Sequence, residues 1–263
     1  MIARINHVAI ISHQYPILGK FYQSLYGMKP GDSPPESAVS YGDGNVGLQI
    51  LPRRDGYIAG LDHFGMLVDD IAEVERRLRK YDGANMVKRP SSRPFAAYSA
   101  NDPDGNHFDL AEQSSNLKEV YSLDGWDAER YINLFAIRTM HVERIAEFYQ
   151  EVFELTPTDK GGDAGYSLSD GRVTLRLLPW DMRNFEGMAI KRSGPEHFGF
   201  HVEDVESFKS DVAQLSSANF MLAAYPLGGS VESDVRRRLF ESGARGKFQL
   251  ADPDGIWTDV TDD

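Results

Sequence analysis

The chain has 263 residues, enough for two domains with a sizeable hydrophobic core. Its formal net charge of −12 disfavours binding to nucleic acid or to anionic membranes, since like charges repel. The absence of cysteine excludes disulfides, thiolate metal ligands and a cysteine nucleophile. We find no signal-peptide pattern and no apolar run of the roughly 20 residues that a membrane span needs. We therefore expect a soluble, cytoplasmic protein.

The first predicted unit runs from a strand through a helix to a hairpin. An alternating pattern over residues 5–11 predicts a strand, with His7 on the same face as its odd-numbered neighbours. The stretch LGKFYQSLYG then places apolar residues on one side of a helix, and Gly27 suits its C-terminal end. The Asp-Gly pair in YGDG predicts a hairpin that leads into the strand VGLQILP.

The second predicted unit repeats this order. LDHFGMLV reads as a strand, and DDIAEVERRLRKYDG reads as an amphipathic helix with an aspartate cap and a glycine stop. AAYSANDPDGNHFDLAE then predicts a hairpin. The sequence DPDG favours a tight turn, because proline presets one backbone angle, aspartate bonds to nearby amides, and glycine accepts a positive φ.

The whole pattern occurs twice. Three stretches of the first half have similar stretches about 127 residues later: RINHVAII matches YINLFAIR, FYQSLYGMKP matches FYQEVFELTP, and YGDGNVGLQILP matches LSDGRVTLRLLP. DHFGMLVDD corresponds to EHFGFHVED, and NDPDGNHFDL to ADPDGIWTDV. The offset grows along the chain through insertions in the second half, the larger of which lies between 205 and 251. Chance similarity does not keep this order, so we infer an internal duplication. We predict two domains, 1–115 and 128–263, of two units each.

Four such units resemble the vicinal oxygen chelate superfamily, which includes glyoxalase I, bleomycin resistance proteins and type I extradiol dioxygenases. The residues that carry the resemblance are NHVAI with FYQSLYGM, DHFGMLVDD, DPDGNHFDL and their second-half partners. The resemblance implies an α+β fold of four βαβββ modules, which form two paired domains with curled mixed sheets. It also implies a divalent metal in the cup of a sheet, held from the first and last strands of each module, and the family's habit makes a homodimer plausible.

Carried over one at a time, the family's ligand positions in the first half are His7, Gln49, His63 and Asp109. Two imidazoles and one carboxylate form the triad that non-haem Fe(II) uses, which leaves open positions for substrate and oxygen. We therefore predict a metal site at His7, His63 and Asp109. Gln49 is either a weak fourth ligand or a contact to the substrate.

The matching positions in the second half are Leu134, Arg176, His197 and Asp259. Leucine cannot ligate and arginine opposes a metal cation, so modules paired in sequence order leave this half without a metal. Modules paired out of order would instead bring together His7, His197 and Asp259, which is also a complete triad. We favour the in-order set and keep the second as the alternative.

Three further residues are candidates for catalysis. They are Gln49, His201, which shares a strand face with His197, and Tyr98, which lies one place from a tyrosine of the extradiol pattern. The inserted stretch VESDVRRRLFESGARG reads as a solvated helix with salt bridges, or else as a lid whose arginine meets an anionic substrate. We favour the solvated helix.

The resemblance leaves three functions open. The preferred one is an Fe(II)-dependent extradiol-like dioxygenase that cleaves a small, catechol-like aromatic compound. This chain departs from that pattern by having Asp109 in place of glutamate, Ser99 in place of the tyrosine, and no upstream histidine. The second is a glyoxalase-like isomerase, epimerase or lyase with Mn²⁺, Zn²⁺ or Ni²⁺. The third is a non-catalytic small-molecule binding or resistance protein. In each case the partner is a small aromatic or oxygen-chelating molecule.

Overall fold

The computed structural model describes residues 3–32, 38–90, 96–113, 123, 125–159, 165–184 and 193–263. The strands of the first half are β1 (Ala3–Ser12), β2 (Lys29–Pro30), β3 (Val39–Gly42), β4 (Gly47–Pro52), β5 (Gly60–Val68), β6 (Asn85–Lys88), β7 (Tyr98–Asn101) and β8 (His107–Glu112). Those of the second half are β9 (Tyr131–Thr139), β10 (Thr156–Asp159), β11 (Tyr166–Ser169), β12 (Thr174–Pro179), β13 (Gly194–His201), β14 (Phe248–Ala251) and β15 (Trp257–Thr261).

The α-helices are α1 (Tyr15–Tyr26), α2 (Ile71–Leu78), α3 (Val142–Phe153), α4 (Val205–Ala218) and α5 (Val231–Gly243). Two of the predicted helix ends are present. Gly27 closes α1 with a φ of 66°, and the Asp70 side chain caps α2 by accepting from the Glu73 amide. Helix α2 ends at Leu78, earlier than its predicted glycine stop, because tighter i→i+3 bonds form the next turn. No helix in the described part of the chain is long and apolar enough to cross a membrane.

Each half of the chain builds one mixed sheet. The strand orders are β2-β3-β4-β1-β5-β8-β7-β6 and β10-β11-β12-β9-β13-β15-β14. The first strands of the two modules lie side by side and antiparallel, β1 with β5 and β9 with β13. The modules therefore pair in sequence order, and the α+β fold of four βαβββ modules is confirmed.

The fourth module departs from the other three. Between β13 and β14 the chain forms α4, a short 3₁₀ helix at Phe220–Leu222, and then α5. Where the second module has an edge strand, the fourth has a single bridge between Tyr225 and Ala251. The insertion predicted from the repeat offsets therefore replaces an edge strand with a helix.

One hydrophobic core joins the two halves. Tyr26 of α1 stacks on Phe200 of β13, with ring centroids 3.7 Å apart. Phe64 of β5 lies 5.0 Å from Phe135 of β9. Aromatic side chains bury large areas, so this shared core supplies much of the stability of both sheets.

The two DPDG turns also bond across the halves. The Tyr22 hydroxyl of α1 donates to Asp252 Oδ2 over 2.7 Å, and the Tyr149 hydroxyl of α3 donates to Asp102 Oδ2 over 3.3 Å. Each aspartate also holds its own turn through two backbone amides. The first aspartate of each DPDG therefore both shapes a turn and receives a tyrosine from the other half.

The Asp-Gly hairpins repeat this exchange. Asp43 Oδ2 accepts from the Ile132 amide over 2.8 Å, and Asp170 Oδ2 accepts from the Ile5 amide over 2.7 Å. Both amides lie where a strand of the opposite half begins. A pseudo-twofold relation therefore links the duplicated sequences, and buried polar groups are satisfied reciprocally along it.

We expect Tyr22→Phe to lower the free energy of unfolding by about 1–3 kcal/mol, because Asp252 stays buried after losing a donor. Tyr149→Phe is the matched control and should cost less, because its bond to Asp102 is longer. Urea denaturation of both variants measures the difference. Equal costs, or no cost for Tyr22→Phe, would contradict the role given to this bond.

Candidate metal centre

Three neighbouring strands bring the predicted triad together. His7 lies on β1, His63 on β5 and Asp109 on β8, and all three side chains are buried. Oδ2 of Asp109 is 3.2 Å from Nε2 of His63 and 4.0 Å from Nε2 of His7. One ligand atom from each residue lies within 4.8 Å of the other two. His7, His63 and Asp109 are thus close enough to share one ion.

Neighbouring residues orient both imidazoles. Nδ1 of His7 faces Asn6 Oδ1 at 3.1 Å, and Nδ1 of His63 faces Asp62 Oδ2 at 2.7 Å. These acceptors favour a proton on each Nδ1, which leaves each Nε2 facing the third member of the cluster. Nε2 of His63 faces Asp109 without the alignment of a hydrogen bond. Metal-binding histidines typically have the ring nitrogen that does not bind the metal held by a neighbouring oxygen, as Nδ1 is here. The residues present therefore fit a divalent metal.

Gly65 makes room for the His7 ring. Any Cβ at this position would overlap the imidazole, because the ring lies directly over the glycine backbone. A glycine inside a strand signals a close approach of this kind. The sequence carries that signal as HFG, which occurs at 63–65 and again at 197–199, although the prediction of the triad did not draw on it.

Burial and the neighbouring charges set the protonation of the cluster. Burial lowers the pKa of His7 to about 3, with a further contribution from His63, so His7 is neutral, the form that ligates metals. Burial also acts to lower the pKa of His63, but the Asp109 and Asp62 carboxylates outweigh it and raise this pKa to about 9. Burial would raise the pKa of Asp109, yet His63 and the other nearby cations lower it to about 2.

Arg89 is a site residue that sequence reasoning missed. It follows β6, and its guanidinium donates to Asp109 Oδ1 over 2.5 Å and to Ser99 Oγ over 3.3 Å. Oδ1 is therefore held by the arginine, while Oδ2 faces the histidines. Ser99 Oγ also lies 2.6 Å from Nε2 of His107, which together with Asp62 and His63 forms a second, more exposed group of ligand atoms.

A cavity of about 500 Å³ opens over the cluster. His63, Asp109 and Gln49 lie along its polar side, and Ile11, Leu51, Pro52 and Pro90 contribute an apolar side. Gln49 is therefore at the site, as the family position implies. The volume is within the range of small-molecule sites.

The other two catalytic candidates lie elsewhere. Tyr98 packs against the hydrophobic core, because its neighbour Ser99 is the register partner of Asp109 and successive strand residues point to opposite faces. His201 belongs to the second sheet, where it stacks on Tyr131 at 4.7 Å. Neither residue is brought to the triad.

In the second half, a side chain of the inserted helix occupies the space that corresponds to the cavity over the triad. Phe240 of α5 is fully buried against His197, at 4.8 Å between ring centroids, and against Trp257, at 4.2 Å. Nδ1 of His197 faces Glu196 Oε2 at 3.0 Å. The inserted helix therefore covers this cup with an aromatic side chain. One of its arginines forms a salt bridge of the predicted kind, since Arg237 bonds Glu241.

The second-half counterparts of Asp109 and Gln49, which are Asp259 and Arg176, hold the inserted segment in place. Asp259 accepts hydrogen bonds from the Arg245 and Gly246 amides at 2.7 and 3.0 Å, and the Gln249 amide group adds another at 3.0 Å. Arg176 Nε donates to the Gly243 carbonyl over 2.8 Å. His197 and Asp259 lie in the second sheet and His7 in the first, so the alternative triad is not assembled.

Comparison with known proteins gives a family and a fold. The chain matches the sequence model of the Glyoxalase/Bleomycin resistance protein/Dioxygenase superfamily over residues 4–110 and 131–260. Among curated proteins, none matches by sequence.

The similar solved structures include the Mn(II)-bound glyoxalase from Novosphingobium aromaticivorans, with 14% identity, a TM-score of 0.65, and coverage of 98% of this chain and 82% of that one. The 2,3-dioxygenase LapB from Pseudomonas sp. KL28 has 13% identity and a TM-score of 0.64, covering 98% and 91%. A mutant 4-hydroxymandelate synthase from Streptomyces coelicolor has 13% identity and a TM-score of 0.63, also covering 98% and 91%. At these identities the structures show a shared fold. Because the sequence match spans most of both halves, the chain belongs to the Glyoxalase/Bleomycin resistance protein/Dioxygenase superfamily.

Proposed function

We propose that this chain is a metal-dependent enzyme whose His7, His63 and Asp109 bind Fe(II), and that it is a ring-cleaving dioxygenase for a small catechol-like compound. The observation that carries the proposal is the convergence of two imidazole Nε2 atoms and one carboxylate oxygen within 4.8 Å beside an open cavity. Two histidines and one carboxylate are the ligand set of non-haem Fe(II) oxygenases. The similarity to the dioxygenase LapB supports the same function.

In this proposal the chain's own residues prepare the site. Asn6 and Asp62 hold the two rings so that each Nε2 points inward. Arg89 keeps Oδ1 of Asp109 and leaves Oδ2 to ligate. Three protein ligands on one side leave the cavity side open. Bound Fe(II) would supply a redox-active centre with room for two substrate oxygens and for O2.

The cavity walls orient the substrate. Gln49 can donate or accept a hydrogen bond at a substrate oxygen, and it cannot act as a general base because an amide does not titrate. Ile11, Leu51 and Pro52 offer an apolar surface for an aromatic ring. That surface also limits water around the reacting oxygens, which strengthens polar interactions there.

We expect protein purified without oxygen to carry about one divalent metal per chain, and His63→Ala to lose most of it, because the substitution removes a ligand from the centre of the cluster. Elemental analysis measures the content. The matched control is His197→Ala, which removes the equivalent histidine in the second half and should keep the metal. Loss of metal in the control alone, or no metal in the wild type after reconstitution, would overturn the assignment of ligands.

We expect the iron-loaded protein to consume one O2 for each catechol-like ring that it opens, and His63→Ala to consume none. An oxygen electrode combined with ultraviolet–visible spectra of the products tests this. Conversion of a substrate without oxygen uptake would instead support the glyoxalase-like isomerase or lyase, a function supported by the similarity to the Mn(II)-bound glyoxalase. Metal binding with no turnover of either kind would leave a binding protein.

A further inference from the structure

We propose that the cavity selects an anionic substrate, whose carboxylate or similar acidic group binds Arg54 and Arg89 while its other end faces the triad. Both arginines line the cavity, Arg54 from the loop that follows β4 and Arg89 from the residue that follows β6. This inference rests on the proposed function only in assigning the other end of the molecule to the metal. The anion subsite itself stands on the two arginines.

Arg89 offers donors to the cavity beyond those that hold Asp109. Its bonds to Asp109 and Ser99 both come from one terminal nitrogen of the guanidinium. Nε of Arg89 is buried and has no hydrogen-bond partner among the residues that the structure describes. A buried N–H without an acceptor is costly, and a shift of the guanidinium that brought Nε to a ligand oxygen would recover that free energy. Arginine's planar fork suits a carboxylate for this purpose.

Arg54 stands at the mouth of the same cavity. It belongs to the loop between β4 and β5, which Arg53 braces by donating to the Tyr57 carbonyl over 3.2 Å. Within the described residues no ion pair or side-chain hydrogen bond engages the Arg54 guanidinium. Exposed arginines of helix α2 behave differently, since Arg76 pairs with Glu73 and Arg79 with Glu75. The nearby carboxylates have other partners: Asp55 faces Arg53, Asp62 bonds His63, and Asp109 bonds Arg89. In a chain of net charge −12, a cation at a cavity mouth that none of these carboxylates engages points to an external anion.

The same loop also presents an aromatic side chain. Tyr57 lines the cavity although it is 58% exposed, and it lies three residues from Arg54. As a lining residue, Tyr57 offers its ring to a ligand held in the cavity. A cation beside an aromatic ring fits a molecule that is itself aromatic and acidic, and less well a neutral catechol or a sugar.

The test uses two fluorinated probes that differ in charge and lack the vicinal hydroxyls of a catechol, 4-fluorobenzoate and 4-fluorobenzamide. Their binding to the full chain is measured by ¹⁹F NMR titration, before and after removal of metal with a chelator. We expect the wild type to bind the benzoate at least about tenfold more tightly than the benzamide, which corresponds to about 1.4 kcal/mol. Chelation should leave the preference unchanged, because the arginines and not a metal hold the carboxylate.

The variants are Arg54→Gln and Arg89→Gln, with Arg79→Gln as the control that removes the same charge from the end of helix α2, outside the cavity. We expect each cavity variant to reduce the preference to about twofold or less, and the control to keep it. Arg54 is exposed, so its variant keeps the test valid even if Arg89→Gln disturbs Asp109.

Absence of a charge preference in the wild type, a preference unchanged in both cavity variants, or one that vanishes with the metal would each overturn the inference. A preference that persists in protein without any metal would support the anion subsite while the proposed metal centre failed.

Discussion

The structure depends on how each half compensates a buried carboxylate within its last strand. Asp109 is 1% exposed and Asp259 is 3% exposed, and an ionised carboxylate at such depth requires cations or several hydrogen-bond donors. In the first half, the neighbours are His63, Arg89 and, in our proposal, a divalent metal. In the second half, backbone amides at 245 and 246 donate instead. One inherited residue thus has two kinds of environment.

That difference decides which half keeps open space over its histidine and its last-strand carboxylate. Backbone amides reach Asp259 only because the inserted segment folds back over the sheet, and the same segment places Phe240 on His197. The second cup is thereby filled with apolar side chain, and Arg176, in the position of Gln49, binds the Gly243 carbonyl rather than a ligand. The first half has no such segment among its described residues, so its carboxylate and histidines face open space. The covered cup of one half and the open cup of the other therefore both trace to one insertion.

The duplicated sequence predicted the modules and the triad, but it did not predict the place of Tyr98 or the role of Arg89. The repeat offsets indicated a duplication and the repeated unit pattern indicated four modules. The ligand positions that the family resemblance implies then named His7, His63 and Asp109, which the fold brings to adjacent strands. Tyr98 shows the limit of prediction by motif, since a shift of one residue along a strand moves a side chain to the other face. Arg89 follows an edge strand whose pairing was not specified by any local pattern.

Other misses concern contacts between the halves. The aspartates of DPDG and of the Asp-Gly hairpins read as turn residues, and turn chemistry accounts for their spacing. Their second partners, such as Tyr22 for Asp252, depend on how two sheets pack, which no local pattern encodes. The burial of Phe240 is of the same kind, because the pattern of an amphipathic helix does not specify which surface the helix will cover.

The most direct test of the metal centre is anomalous diffraction at the iron absorption edge, from crystals grown without oxygen in the presence of Fe(II). We predict one dominant anomalous peak per chain, coordinated by Nε2 of His7, Nε2 of His63 and Oδ2 of Asp109, with Arg89 still on Oδ1. A peak beside His197 and Asp259, or iron found only at the surface, would contradict the proposed centre.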